Sequence, residues 1–460
     1  MTISRRHFIA SGAALAALGA PGLRAATFQS LRTRVADIQL LPEDFGKTQI
    51  WSFEGSAPGP EIRIAQGARV QRRVVNDLPD PTSTHWHGVR IENAMDGVAG
   101  LTQDAIRPGD GFDYDFVAPD AGTFWYHSHN RSFEQVARGL YGALIVEEPD
   151  PIDIEHEEVL VLDDWLIDPE TAQIAGAFGG MHDLSHAGRI GNYVTTNGTN
   201  NVTRKVKRHD RMRLRLINAS NARIFQLALD GLEGWIVAQD GMPLAAPGRV
   251  EGAFLLAPAQ RIDLIVDVTA ETGSAGHIVR TDRNERFSQI AFTVTGEQTR
   301  ARREAPGPLP PNASVTPDLA SAKDLRLFME GGAMGGLRSA MMGGRMSSMR
   351  DIAQAGNFWA FNGAVGGMDG APLAELSRGE TVRLKITNDT AFPHAMHLHG
   401  MHFHEIERDG SLGALRDTTL LDRGDVREIA FVADNPGKWL LHCHMLSHAA
   451  SGMMTWVDVT

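Results

Sequence analysis

Cysteine is almost missing from this chain. One residue in 460, Cys443, carries a thiol, so no disulfide can close within it. Positive charge is in deficit: 44 Lys and Arg stand against 56 Asp and Glu, a formal net charge of −12. That balance excludes a nucleic-acid binder, which needs a basic patch or a high pI. Beyond the N-terminal segment no stretch of 18 residues is apolar throughout, so the remaining chain offers no membrane-spanning helix. Continuous helical periodicity is scarce. At 42% apolar and 22% charged, the chain is not a disordered one. Its length allows two to four domains of about 100–200 residues each. What it has in quantity is histidine, 18 residues, and these cluster.

Residues 1–26 read as an export signal. Ser4-Arg5-Arg6-His7-Phe8-Ile9 is a twin-arginine pattern, followed by an Ala/Gly/Leu-rich stretch to Ala20 and small residues at Ala25-Ala26. Such a segment is an address for folded export and is removed afterwards. The expected destination is a bacterial periplasm. Removal takes Arg5, Arg6 and Arg24 and no acid, so the exported chain is more acidic still.

The body reads as strands. Val70 and Val74 share a face. Met212, Leu214 and Leu216 alternate with Arg211, Arg213 and Arg215, and Val382, Leu384 and Ile386 alternate with Arg383, Lys385 and Thr387. Period-two alternation marks half-buried strands. Punctuated by 48 Gly and 22 Pro, such runs predict an all-β chain of sandwich domains. The three runs are also a repeat, ending in Asn76, Asn218 and Asn388. Nine residues beyond Asn76 stands His85-Trp86-His87-Gly88; nine beyond Asn388 stands His397-Leu398-His399-Gly400; nine beyond Asn218 stands Leu227, with no histidine. Gly122 and Gly437 each precede a further pair by five residues, His127-Ser128-His129 and His442-Cys443-His444. Three related domains follow, expected at 27–150, 151–300 and 301–460. The breaks fall near Pro149-Asp150-Pro151 and in a Pro-rich linker from Ala301 to Asp318.

Residues i and i+2 on a strand share a face. Each His-x-His pair therefore points one way, and four pairs supply eight imidazoles from the first and third domains. Eight nitrogens exceed what one or two tetrahedral ions need; they suit a cluster of about three. Cys443 lies between two of these histidines, so its sulfur turns to the opposite face. There it can meet His394 and His448, with Met453 on the same downstream loop. A thiolate, two imidazoles and a weak axial thioether are the ligands of a blue copper electron-transfer site. The remaining histidines (His7, His156, His182, His186, His209, His277, His402, His404) read as surface or packing residues, with His402 and His404 the nearest to an outer role.

Together the four motifs resemble those of the multicopper oxidases. The resemblance implies three consecutive cupredoxin-like Greek-key domains in laccase-like order. It also implies four copper ions and a reaction that couples four one-electron oxidations to the reduction of dioxygen to water. Carried over, the type 1 copper takes His394, Cys443, His448 and Met453, and the type 2 copper His85 and His397. The type 3 pair takes His87, His127, His129, His399, His442 and His444. Asp96-Gly97, followed by Thr102-Gln103, resembles the family stretch whose acid stands near the type 2 copper, which makes Asp96 a proton donor. Many relatives carry a second acid directly after the type 1 histidine; here that position is Ala449, so Asp104 or Asp417 takes its place. An axial Met453 in place of an aliphatic residue lowers the type 1 potential.

The substrate is less constrained. Met329, Met334, Met341, Met342, Met346 and Met349 fall within 21 residues, and thioethers are soft ligands for Cu(I). The segment resembles the Met-rich insertions of bacterial cuprous oxidases, with Met334, Met341, Met342, Met346 and Met349 as candidate substrate ligands. Those relatives have an acid where this chain has Thr390. The first expectation is therefore Cu(I) oxidation. The second is a laccase-like oxidase of phenols, aromatic amines or Mn(II), and the third a non-catalytic cupredoxin scaffold or copper-storage protein.

Overall fold

The computed structural model describes residues 28–460; the export signal expected at 1–26 lies outside the described residues. The alternating runs form strands, which assemble into three successive pairs of sheets. In the first pair, Thr48–Phe53, Gln29–Ile38, Arg69–Asn76 and Gly111–Val117 make one sheet. Gly59–Ala65, Tyr141–Glu147, Gly122–His127 and His85–His87 make the other. The second and third pairs each combine a six-stranded with a five-stranded sheet. Each pair closes over its own apolar core, with Val70, Val74 and Trp86 in the first, Leu214, Leu216 and Leu264 in the second, and Val382, Leu384 and Trp439 in the third. The all-β expectation holds.

The repeated asparagines have a physical job. Each is wholly buried at the end of a strand that runs parallel to the first long strand of its sheet pair. The Asn76 side-chain amide donates to the carbonyls of Asp80 and Ile106, and its oxygen accepts from the Leu78 N–H. Asn218 does the same with Arg223, Leu256 and Ser220, and Asn388 with Phe392, Asp422 and Thr390. One amide satisfies three buried backbone groups and fixes the loop that launches the next strand. In the first and third domains that next strand carries histidines.

One expectation changes. The arginines of Arg211–Asn218 do not face solvent: Arg213 and Arg215 are each 1% exposed. Their face of the sheet meets Thr123 and Glu148 of the first domain, and the guanidinium groups pair there with Glu148 and, within their own sheet, with Glu157 and Asp263. Alternation marks two faces, but a polar face can be a wet one or an ion-paired interface. The Pro-rich linker is also tied down. The Asn312 amide brackets Ala121, donating to its carbonyl at 2.8 Å and accepting from its N–H at 2.9 Å.

Candidate metal centre

Two short ladders bring the eight paired histidines together. His85 lies opposite His127 where His85–His87 pairs with Gly122–His127, and His397 lies opposite His442 where His394–Leu398 pairs with Gly437–Cys443. The ladders meet face to face. The His85 and His399 rings stack at 4.0 Å between centroids, and those of His87 and His397 at 3.8 Å. His399 Nε2 is 3.1 Å from His442 Nε2, and His127 Nε2 is 3.4 Å from His444 Nε2. Ligand atoms of His85, His397 and His399 lie within 4.8 Å of one another, as do those of His85, His87 and His127, and those of His129, His399 and His442.

The outer hydrogen bonds decide which nitrogens face inward. A carbonyl can only accept, so a ring nitrogen against one carries the proton. His85 Nδ1–H donates to the Asp96 carbonyl at 2.7 Å and His397 Nδ1–H to the Asp417 carbonyl at 3.0 Å. Both Nε2 atoms are buried and without a partner, as are His87 Nδ1, His129 Nε2 and His444 Nδ1. Burial, reinforced by neighbouring imidazoles, holds His87, His127, His129, His399 and His444 well below the usual histidine range and brings His442 to about 3. These rings are neutral, the form that ligates metal, and their orphaned lone pairs fit a group of bound ions.

On the far side of strand Gly437–Cys443, Cys443 Sγ lies 3.5 Å from His394 Nδ1 and 3.7 Å from His448 Nδ1. His394 Nε2–H donates to the Thr390 hydroxyl at 2.8 Å and His448 Nε2–H to the His186 carbonyl at 2.7 Å, which aims both Nδ1 atoms at the sulfur. Burial pushes the Cys443 thiol up to about 12 and His448 down to about 4; a soft cation at this point takes the thiol's proton away. Met453 is wholly buried in the same packed cluster, and its carbonyl accepts the Cys443 N–H at 3.0 Å. Donors of this kind fit a copper ion.

Two buried acids flank the histidine cluster. The Asp96 carboxylate stands 3.1 Å from His399 Nδ1 and 3.2 Å from His85 Nδ1. Asp417 is 3.3 Å from His87 Nε2 and takes both ends of Arg261, at 3.0 and 2.6 Å. Burial alone would raise Asp417, but the Arg261 guanidinium and His87 outweigh it and hold the carboxyl well below its usual range. Asp104 is exposed and touches neither site. His402 is buried 3.7 Å from Asp417, whereas His404 turns away to the Gly413 carbonyl.

The methionines separate. Met329 is wholly buried in the third core. Met342 and Met349 pack into a small cluster with Ala340, Ile352 and Ala360. Met341 and Met346 face each other across hairpin Ser339–Met342/Arg345–Ser348, 38% and 65% exposed, and Met334 is 81% exposed. The structure therefore leaves three of the five candidates open to a ligand. Sequence reasoning passed over Thr390 as an orienting group, and Arg261 and Asp240 altogether. Both of the latter come from the middle domain, which carries none of the His-x-His pairs.

Three sequence models of the multicopper oxidase family match this chain, at residues 34–151, 156–292 and 345–460. Multicopper oxidase MmcO of Mycobacterium tuberculosis is 31% identical over 99% of this chain and 96% of its own. The copper resistance protein A homolog of Pseudomonas syringae pv. tomato is 26% identical over 89% and 88%, and laccase-1 of Botryotinia fuckeliana 29% over 87% and 77%. Among solved structures, a multi-copper oxidase from Pseudomonas thermotolerans superposes with a TM-score of 0.82 at 32% identity, over 95% of this chain and 100% of that one. Lac15 from a marine microbial metagenome gives 0.76 at 41% identity, over 94% and 100%.

Proposed function

The chain belongs to the multicopper oxidase family, and on that premise we propose that it is a periplasmic cuprous oxidase, taking electrons from Cu(I) and passing them to dioxygen. It is a copper-dependent oxidoreductase with cupredoxin-like domains. In this reading His394, Cys443, His448 and Met453 hold the type 1 copper, and the eight paired histidines hold the type 2 and type 3 ions. When bound, copper supplies one-electron acceptance at the first site and four-electron reduction of dioxygen at the second. The chain supplies the connection, because both neighbours of Cys443 are cluster histidines. It also supplies protons: the Asp96 carboxyl group beside His85 and His399 is the donor, whereas Asp417, held ionised by Arg261, accepts from His87 and does not replace the acid missing at Ala449. The twin-arginine segment supports the periplasmic location.

The observation that carries Cu(I) is the exposed Met341–Met346 pair. A hairpin that leaves two opposed thioethers in solvent gains little by burial, whereas soft ligands favour Cu(I). The copper resistance protein A relative supports this. The position of Thr390 favours the second reading, a laccase-like oxidase, because a hydroxyl bound to His394 replaces the acid of cuprous oxidases. Oxygen uptake by the copper-loaded enzyme, with Cu(I) and a phenol at matched concentrations and copper-free enzyme as blank, separates the two. A large preference for Cu(I) is expected; a phenol preference indifferent to added copper would overturn the proposal. Cys443→Ser should abolish the blue absorption and both turnovers, and a blue variant would refute the type 1 assignment.

A further inference from the structure

A short helix, Met181–Ser185, lies over the Cys443 site. The Leu184 carbonyl accepts from Trp359 Nε1 at 2.6 Å and from Ser451 Oγ at 3.0 Å, and the Ser185 carbonyl from the Ala333 N–H at 2.7 Å. Trp359 in turn packs on His448, 4.5 Å between ring centroids. The next carbonyl, His186, accepts from His448 Nε2–H. A single hydrogen bond therefore joins this surface helix to a ligand of the proposed type 1 copper.

The helix carries its own ligand set. His182 stands in the helix, and His186, four residues on, caps its end with the backbone already out of the helical region at φ −111° and ψ −135°. Their rings stack 4.4 Å apart with planes 12° from parallel. The Ser185 hydroxyl donates its one proton to the Met181 carbonyl at 2.7 Å, so towards His186 Nδ1, 3.0 Å away, it can only accept. That places the His186 proton on Nδ1 and leaves Nε2 with a free lone pair. His182 is exposed. Among the described residues the three most exposed large apolar side chains are methionines, Met334 at 81%, Met181 at 70% and Met346 at 65%. Two of these adjoin the helix: Met181 begins it, and Met334 follows Ala333, which is bonded to it.

We propose that His182 and His186, with the thioethers of Met181 and Met334, form the docking site for substrate Cu(I), and that its electron leaves through the His186 carbonyl and His448. The proposal rests on the cuprous-oxidase reading. Two imidazoles and two thioethers are soft, uncharged donors that suit Cu(I). Each docked Cu(I) loses one electron and departs as Cu(II). Four such losses, with four protons, reduce one dioxygen to two waters. The site does not use the position of Thr390, so the missing acid there is no obstacle.

The test titrates the copper-loaded enzyme with Ag(I), a redox-inert stand-in for Cu(I), and reads the bound silver by X-ray absorption. Mixed nitrogen and sulfur ligation is expected in the wild type. In His182→Ala/His186→Ala, retaining its blue absorption, the nitrogens should vanish and Ag(I) affinity fall by at least the 10–100-fold that loss of a mere ligand-orienting partner costs. The ratio of kcat/KM for Cu(I) to that for a phenol should fall about as far. His182→Ala alone, at an exposed position, keeps the test readable if the double variant fails to fold. Sulfur-only ligation in the wild type, or unchanged Ag(I) affinity in the variants, overturns the docking site even where Cu(I) remains the preferred substrate. A wild type that prefers phenol to Cu(I) overturns the cuprous-oxidase reading and this proposal with it.

Discussion

At the scale of single residues, orientation decides ligation. His394 faces Cys443 with Nδ1 because the Thr390 hydroxyl receives the Nε2–H at 2.8 Å. Thr390→Ala leaves that buried N–H without an acceptor, which costs about 1–3 kcal/mol, and frees the ring to turn. Retention of type 1 copper should weaken about 10–100-fold, as for other outer partners of ligating histidines, while Thr390→Ser keeps it. Chelator competition followed by the blue absorption measures this; equal retention in Ala and Ser variants would remove the orienting role. The candidate ligands were legible in the sequence as a pattern because they lie close together in it: His-x-His and His-Cys-His need only the period of a strand. Thr390 was legible only as a departure from relatives, since no spacing rule marks a hydroxyl four residues before a histidine as its hydrogen-bond partner.

At the scale of elements, the turn after the short helix Asn93–Met95 sets the cluster's acid. Gly97 has φ +81°, and a Cβ there would come 1.8 Å from the Thr84 carbonyl oxygen. That carbonyl belongs to the residue just before His85, so the turn is pressed against the strand that carries two cluster histidines. Gly97→Ala must push the turn away and take Asp96 with it, from His85 by its carbonyl and from His399 by its carboxylate. Copper at the cluster should fall while the blue absorption persists, because His394, Cys443 and His448 stand apart from this turn. Total copper per chain against blue absorption tests it, and a full complement of both would show that the turn is dispensable. The strand repeat was legible because the asparagines perform one local task three times. The buried arginine face of Arg211–Asn218 was not, since alternation cannot say what the polar face meets.

At the scale of the whole molecule, the middle domain contributes none of the proposed type 1, type 2 or type 3 ligands yet reaches the cluster through Arg261 and Asp240. Nothing local announces these residues; they matter only because the three domains pack together. Asp240 accepts the N–H groups of Arg261 at 3.0 Å and Thr418 at 3.2 Å, beside the ionised Asp417. Burial, and then the Asp417 charge, raise the Asp240 carboxyl to about 7. Between the ordinary carboxylate range near 4 and that value, the folded chain holds a proton that the unfolded chain has released. Folding stability from this group therefore falls as pH rises through about 4 to 7, and is level beyond. Asp240→Asn offers the same N–H groups an oxygen and has no proton to lose. Its urea midpoint, relative to wild type, should climb across that window and stay higher above it, because the variant never places a second buried negative charge beside Asp417. Urea midpoints of the two copper-loaded proteins at successive pH values measure the difference. Parallel curves would mean that Arg261 neutralises both carboxylates, so that Asp240 is ionised throughout the window.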